Sequence, residues 1–267
     1  MKIFMSVDIE GVNGITSWDE TEYGEARYLE FKAELQKEVN AACRGILKAD
    51  PKAEIVIKDA HDSARNLNTL DLPKEAKLLR GWVGSPCSMM AGLDESFDAV
   101  MFVGYHSPSR SNQNSLSHTM NTSRVFEVKI NGIQTSEFYI NSLFASYLNV
   151  PVAFLSGDKY LTTLVKEQNE NIETVASKEG VHGAVISKHP SITWDEIENG
   201  AETSLKKDLT KNLVPLPKKF KIEIQYKKHN DAYNASFFPG CKLIDTDKIS
   251  FETNDYYKAL VMFKFCL

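Results

Sequence analysis

The chain opens on a short apolar run, residues 3–7 (IFMSV), bounded at once by acidic positions. A run this short, without helical periodicity, reads as a buried strand. Residues 20–49 follow a different rhythm, with Leu29, Ala33, Val39 and Ile46 recurring at near-helical spacing among charged positions. That predicts a long helix, ended at Asp50 and Pro51 because the residue before a proline avoids the α region. Three further apolar runs, residues 54–57, 99–103 (AVMFV) and 152–155 (VAFL), predict strands. Strands that are apolar on both faces and are separated by helical segments belong to a parallel sheet covered on both sides. The expected fold class is α/β, a three-layer α/β/α arrangement around a mostly parallel sheet.

After about residue 160 the texture changes. Residues 193–212 predict a helix with a Thr cap and acids in its first turn. Residues 219–227 alternate, with Phe220, Ile222, Ile224 and Tyr226 on one side and Lys219, Lys221, Glu223, Gln225 and Lys227 on the other. Such alternation marks a half-exposed strand at an antiparallel or edge position. Residues 254–265 predict an apolar helix that docks on a sheet. This half reads as a smaller α+β unit, giving an expected division into an α/β metal-binding domain (residues 1–160) and an α+β domain (residues 161–267), with interleaving of the two left open.

Composition narrows the function. The 31 Lys and Arg against 36 Asp and Glu give a net charge of −5, which argues against a chain devoted to nucleic acid. The lysines of residues 219–227 read as a solvated face. Ser6, Asp8 and Glu10 interrupt the first apolar run too early for a secretory signal, which needs an apolar core of at least about 7 residues. No run approaches the roughly 18–20 apolar residues of a membrane span. A soluble, cytoplasmic protein with no membrane or nucleic-acid partner is expected. The cysteines, Cys43, Cys87, Cys241 and Cys266, form no C-x-x-C pair, so thiols are expected rather than a thiolate zinc site. Cys87 is a weak nucleophile candidate, having no local signature.

The informative feature is where the strands stop. Residues 3–7 lead into Asp8 and Glu10, residues 54–57 into Asp59 and His61, and residues 99–103 into His106. In an open parallel sheet the carboxyl ends of the strands converge on one edge, and ligands bind there. A single Asp or His at a strand end is ordinarily a turn residue. Three consecutive strands ending this way point to one crevice, and imidazoles with hard carboxylates suit Zn, Mn or Fe. Without a cysteine donor, a catalytic, partly open metal site is favoured over a structural one. His118 joins the set from the polar segment 107–123, which is long for a loop. Glu137 opens SEFYINSLFASYL, an expected amphipathic helix, with Asn141 one turn further on the same face. His182, His189 and His229 lie outside the set and take no role.

These motifs, SVDIEGVNG, KDAH, GYH, SHTM and EFYIN, resemble in order and spacing the zinc D-aminopeptidases of the dipeptide-transport type, metallopeptidase family 55. VPVAFLSGD, FFPG and the final helix extend the resemblance over nearly the whole chain. The segment between His106 and His118 departs from it, lacking a Pro-Gly and running slightly longer. The resemblance implies two zinc ions, with Asp8 bridging, Glu10 and His61 completing one ion, and His106 and Glu137 the other. It implies His118 as a catalytic residue and a large homo-oligomeric ring. Asp59 and Asn141 are candidates to orient the ligands.

The expected function is hydrolysis of short peptides from the N-terminus, with a D-amino acid preference, by a water activated between two metals. Two rivals remain open at this point. A dinuclear site also suits a phosphoester or another amide, although Arg110 and Arg124 are the nearest arginines to the motifs. An α/β peptide-binding module without catalysis is the other. The metal is not fixed either, because Zn, Mn and Co share these ligands.

Overall fold

A computed structural model describes residues 1–267. In chain order its strands and helices are β1 (Lys2–Val7), α1 (Tyr28–Ala49), β2 (Glu54–Asp59), β3 (Ala76–Leu79), β4 (Ala99–Tyr105), β5 (Val125–Ile130), β6 (Ile133–Gln134), α2 (Glu137–Tyr147), β7 (Val152–Asp158) and α3 (Lys159–Gln168). They continue with β8 (Glu173–Val181), β9 (Ala184–Ser187), α4 (Pro190–Leu205), β10 (Phe220–Tyr226), α5 (His229–Ala235), β11 (Lys242–Asp245), β12 (Lys248–Thr253) and α6 (Tyr256–Cys266).

The four apolar runs form the centre of a seven-stranded sheet in the order β3-β2-β1-β4-β7-β8-β9. Every pairing is parallel except the β8–β9 hairpin. Successive side chains of a strand point to opposite faces, and β1 feeds two separate cores accordingly. Ile3, Met5 and Val7 pack with Leu35, Val39 and Ile46 of α1 and Ile197 and Ala201 of α4. Phe4 packs on the other face, in a core built with Phe138 and Leu143 of α2, Leu161 and Val165 of α3, and Leu260 and Phe263 of α6. The expected α/β/α layering is present. The α1–α4 contact is close because Gly45 has no side chain; a Cβ there would meet the Glu198 carbonyl at 2.2 Å.

A second, five-stranded sheet in the order β11-β12-β10-β5-β6 is antiparallel throughout. The alternation of residues 219–227 is realised in β10, whose Phe220, Ile222, Ile224 and Tyr226 are buried. The two sheets do not separate at residue 160. Residues 125–134 lie in the second sheet and residues 173–187 in the first, so the chain passes between them three times.

Two helices differ from their expected bounds. Residues 21–27 are not helical; residues 18–20 make one 3-10 turn, where the Glu20 carboxylate accepts from the backbone N–H of Thr16 and Ser17, and α1 begins at Tyr28. The helix expected over 193–212 begins at Pro190, with the His189 ring accepting from the Ser191 N–H, and Thr193 lies inside it. It ends at Leu205, and residues 209–212 form a separate 3-10 turn capped by Asp208. Pro190 fits the first turn, where its missing N–H costs nothing. All four cysteines are free thiols. No helix is long and apolar enough to cross a membrane.

Candidate metal centre

The middle of the sheet positions the first four candidate residues. β1, β2 and β4 are neighbours, and the chain leaves each of them at the same edge. Ladder-like bonds hold the exits together: the Asp8 N–H donates to the Val103 carbonyl (2.9 Å), Ala60 to Val7 (2.9 Å) and Gly11 to Gly104 (2.8 Å). Gly104 has φ +74°, and a Cβ on it would meet the Asp8 carbonyl at 2.2 Å. The left-handed backbone and the close approach both require glycine. Glu137 comes from a different direction, as the first residue of α2, where Ser136 caps the helix. His118 arrives on the segment after β4.

Six side chains meet there, all with at most 9% of their surface exposed. Asp8 stands at the middle. His61 Nδ1 lies 3.4 Å from Asp8 Oδ1 and 3.1 Å from Glu10 Oε2. His106 Nε2 lies 3.5 Å from the other oxygen of Asp8 and 3.6 Å from Glu137 Oε2. His118 Nε2 lies 3.4 Å from Glu137 Oε1 and 3.8 Å from Glu10 Oε1. The donor atoms form the groups Asp8–Glu10–His61, Asp8–His106–Glu137 and Glu10–His106–His118, the atoms of each lying within 4.8 Å of one another. The His106 and His118 rings stack at 4.2 Å.

The imidazoles reveal what this arrangement is for. His61 Nε2 meets the Thr21 carbonyl at 3.0 Å, His106 Nδ1 the Ser107 carbonyl at 2.9 Å, and His118 Nδ1 the Leu116 carbonyl at 2.9 Å. A carbonyl oxygen only accepts, so these nitrogens carry the hydrogens. The opposite nitrogens of neutral rings then aim lone pairs at carboxylate oxygens. Acceptor faces acceptor, and Asp8 Oδ2, Glu10 Oε2 and His106 Nε2 are buried without a hydrogen bond. Three buried carboxylates with facing lone pairs need cations between them. Protons can serve only in part. Burial opposes charging of His106, yet Glu137, Glu10 and Asp8 outweigh it and push its pKa up to about 10. Burial and then Glu10 raise the carboxyl of Asp8. Burial and then His106 depress His118. Divalent ions satisfy the same set without dividing protons among competing groups, and mixed N/O donors suit zinc-like metals.

Asp59 and Asn141 sit behind the cluster. Both Asp59 oxygens are taken, by the Asn66 N–H (2.6 Å), the Leu67 N–H (2.8 Å) and the Asn66 side chain (2.8 Å), and Asn66 also donates to the His61 carbonyl (2.8 Å). Asp59 thus ties down the turn after His61 and does not touch its ring. Asn141 donates to the Tyr105 hydroxyl (3.1 Å), which bonds Ser6 (2.7 Å). Cys87 lies outside the cluster, and burial pushes its thiol up rather than activating it.

Three supports escape sequence reasoning. Asp158, at the end of β7, accepts from the Ser107 N–H (2.6 Å), the Ser107 hydroxyl (2.5 Å) and Asn114 (2.8 Å), and so organises the segment bearing His118. A signal for it exists, because VAFLSGD is a fourth strand ending in an acid. Buried Lys178 of β8 donates to the Glu10 and Ile15 carbonyls, both at 2.6 Å, and nothing local marks it. The Met120 N–H donates to Glu137 Oε1 (2.6 Å) from a backbone at φ 63°.

The pattern that defines peptidase family M55, D-aminopeptidase, matches residues 1–265. The chain belongs to that family. It is 29% identical to a D-aminopeptidase of Bacillus subtilis (strain 168) over 265 residues, 97% of this chain and 94% of the relative. Its fold matches that of the Zn-dependent D-aminopeptidase DppA from Bacillus subtilis, a self-compartmentalizing protease, with a TM-score of 0.91 and 28% identity over 100% of this chain and 98% of that one. This M55 chain is a metal-dependent aminopeptidase. Its cluster opens into a cleft of about 510 Å³ walled by Trp18, Trp82, Met89 and Met120, a volume ordinary for small-molecule sites. Asp62, Ser88 and Met120, three non-glycine residues with positive φ, line it. Strained backbone of this kind gathers at functional sites.

Proposed function

We propose that this chain removes the N-terminal residue of short peptides, with a preference for D-residues, using two zinc ions held by Asp8, Glu10, His61, His106 and Glu137. The observation that carries the reading is the position of Asp8. Its two oxygens face two separate donor sets, Glu10 with His61 and His106 with Glu137. One carboxylate spanning two sets is how a protein holds a metal pair. When bound, such a pair supplies Lewis acidity toward the scissile carbonyl and brings the pKa of water near 7.

The protein's own groups do the rest. The carbonyls of Thr21 and Ser107 fix the ring faces of His61 and His106. His118 lines the cleft, its Nδ1 hydrogen held by the Leu116 carbonyl and its Nε2 turned toward Glu137 Oε1 at 3.4 Å. That nitrogen is placed to carry a proton to the departing amine. Trp18, edge-on to the His118 ring at 5.3 Å, limits water around it. The self-compartmentalizing relative supports a homo-oligomer for this chain as well.

Metal analysis joined to peptide hydrolysis tests the reading. Purified protein should hold two zinc ions per chain and cleave a dipeptide with an N-terminal D-residue faster than its L-counterpart. Protein with one ion, or an equal rate on both stereoisomers, would overturn the corresponding part. A phosphoester panel run beside it should stay blank, since no arginine lines the cleft.

A further inference from the structure

The charges along the cleft are unevenly distributed. Asp8, Glu10, Glu22, Asp62 and Glu137 line it, and Lys264 is its one lysine or arginine. Lys264 belongs to the last turn of α6 and is exposed. Its ammonium makes no ion pair and no hydrogen bond within the chain. With Met120 and Asn121 it lines both the cleft and a second recess of about 210 Å³. That recess shares Ser88, Met120, Asn121 and Lys264 with the cleft and is otherwise walled mostly by apolar groups such as Ile140, Leu260 and Phe263, with Asn141 among them. Glu22 and Asp62 line only the cleft. Met120, shared by cleft and recess, also reaches the cluster, since its N–H holds Glu137.

We infer that Lys264 is the anchor for the free C-terminal carboxylate of a dipeptide substrate, and that the recess beside it receives the side chain of the same C-terminal residue. The inference rests on the aminopeptidase reading and narrows its substrate class. A dipeptide is a zwitterion, and the cleft offers both signs of charge, acids at the cluster and one unpaired cation at Lys264. An extended residue spans about 3.5 Å, so cleavage after the first residue leaves the terminal carboxylate one residue past the scissile bond. An unpaired ammonium on a flexible stem reaches such a group, and the bond it makes is charge-assisted. A longer peptide places a neutral amide there instead. The apolar recess adds a preference for an apolar C-terminal residue.

The test compares a dipeptide carrying an apolar C-terminal residue with its C-terminal amide, on the metal-loaded full chain. Wild type should favour the free acid in kcat/KM. Lys264→Met should lower that free-acid to amide ratio about tenfold, through KM rather than kcat. Lys264→Arg should retain most of the ratio, and Lys264→Glu should invert it. A ratio unchanged by Lys264→Met, with both substrates still cleaved, overturns the anchor and leaves the aminopeptidase reading intact. Failure of wild type to cleave either substrate overturns that reading and the anchor with it.

Discussion

His106 has one ring nitrogen held by a backbone carbonyl and the other turned toward Asp8 and Glu137. Alanine at this position removes a neutral donor and leaves two buried carboxylates facing each other. His106→Ala should therefore lose bound zinc, read by elemental analysis, and peptide turnover with it. Asp59→Asn acts only through the turn after His61, so a loss of about 10–100-fold in metal affinity is expected, the range for groups that orient ligands. Glu38 is a second residue with a measurable consequence. Burial pushes its carboxyl up to about 8, against the N–H of Asn13, which lowers it, with Glu34 raising and Lys178 lowering it further. The folded state thus binds this proton more tightly than the unfolded chain does. The resulting stabilisation is complete below the ordinary carboxyl value of 4.5 and is lost as pH rises to about 8. Glu38→Gln has no such proton to lose. Its stability relative to wild type should improve from pH 5 to pH 8, as read from urea midpoints at equal metal loading. Each tenfold difference in proton affinity between the folded and unfolded chains contributes about 1.4 kcal/mol to that improvement. Asp8, Glu10, His61 and His106 are legible in the sequence because each follows a strand directly. Glu137 and His118 need the resemblance, because a helix-start acid and a loop histidine are common in any protein. Lys178 is illegible, since its role consists of two contacts with carbonyls more than 160 positions away.

At the level of elements, the site depends on how β1 and β4 end. Gly104→Ala would force a Cβ into the Asp8 carbonyl from a backbone at φ +74°. A cost of about 1–3 kcal/mol follows from the strained conformation alone, and the exit of Asp8 must shift as well. The variant should melt earlier and bind zinc more weakly, and calorimetry with and without added zinc separates the two effects. The apolar runs locate the central strands but understate their length: β2 runs to Asp59, β4 to Tyr105 and β7 to Asp158. Their last residues are polar and look like loop in a search for apolar runs. They stay in the sheet because the surrounding structure satisfies them, as Lys58 does by donating to the carbonyls of Asp59 and Gly81. The edge strands β3, β9 and β11 are not legible, because each is four residues long, with apolar stretches of two or three residues and no buried position.

Across the whole molecule, the proposed metal centre draws on β1, β2, β4, α2 and the segment between β4 and β5, so ions bound there would tie together distant parts of the chain. Ligands that bind only the folded state stabilise it by about 2.7 kcal/mol at a concentration of 100 Kd. Chelation should lower the melting temperature by roughly 5–10 °C, at about 2–4 °C per kcal/mol for a chain of this size, and zinc should restore it. No change in melting on chelation would argue against resident metal. The order of apolar runs and the acids and histidines that end them determined the α/β class and most of the proposed ligand set, because strand direction and strand-end chemistry are local properties. The tertiary structure decided the rest. It placed Glu137 and His118 against Asp8, passed the chain three times between two sheets, and brought Lys264 from α6 to the wall of the cleft. Those relations join residues more than 100 positions apart through packing, and no local pattern encodes which distant surfaces will meet.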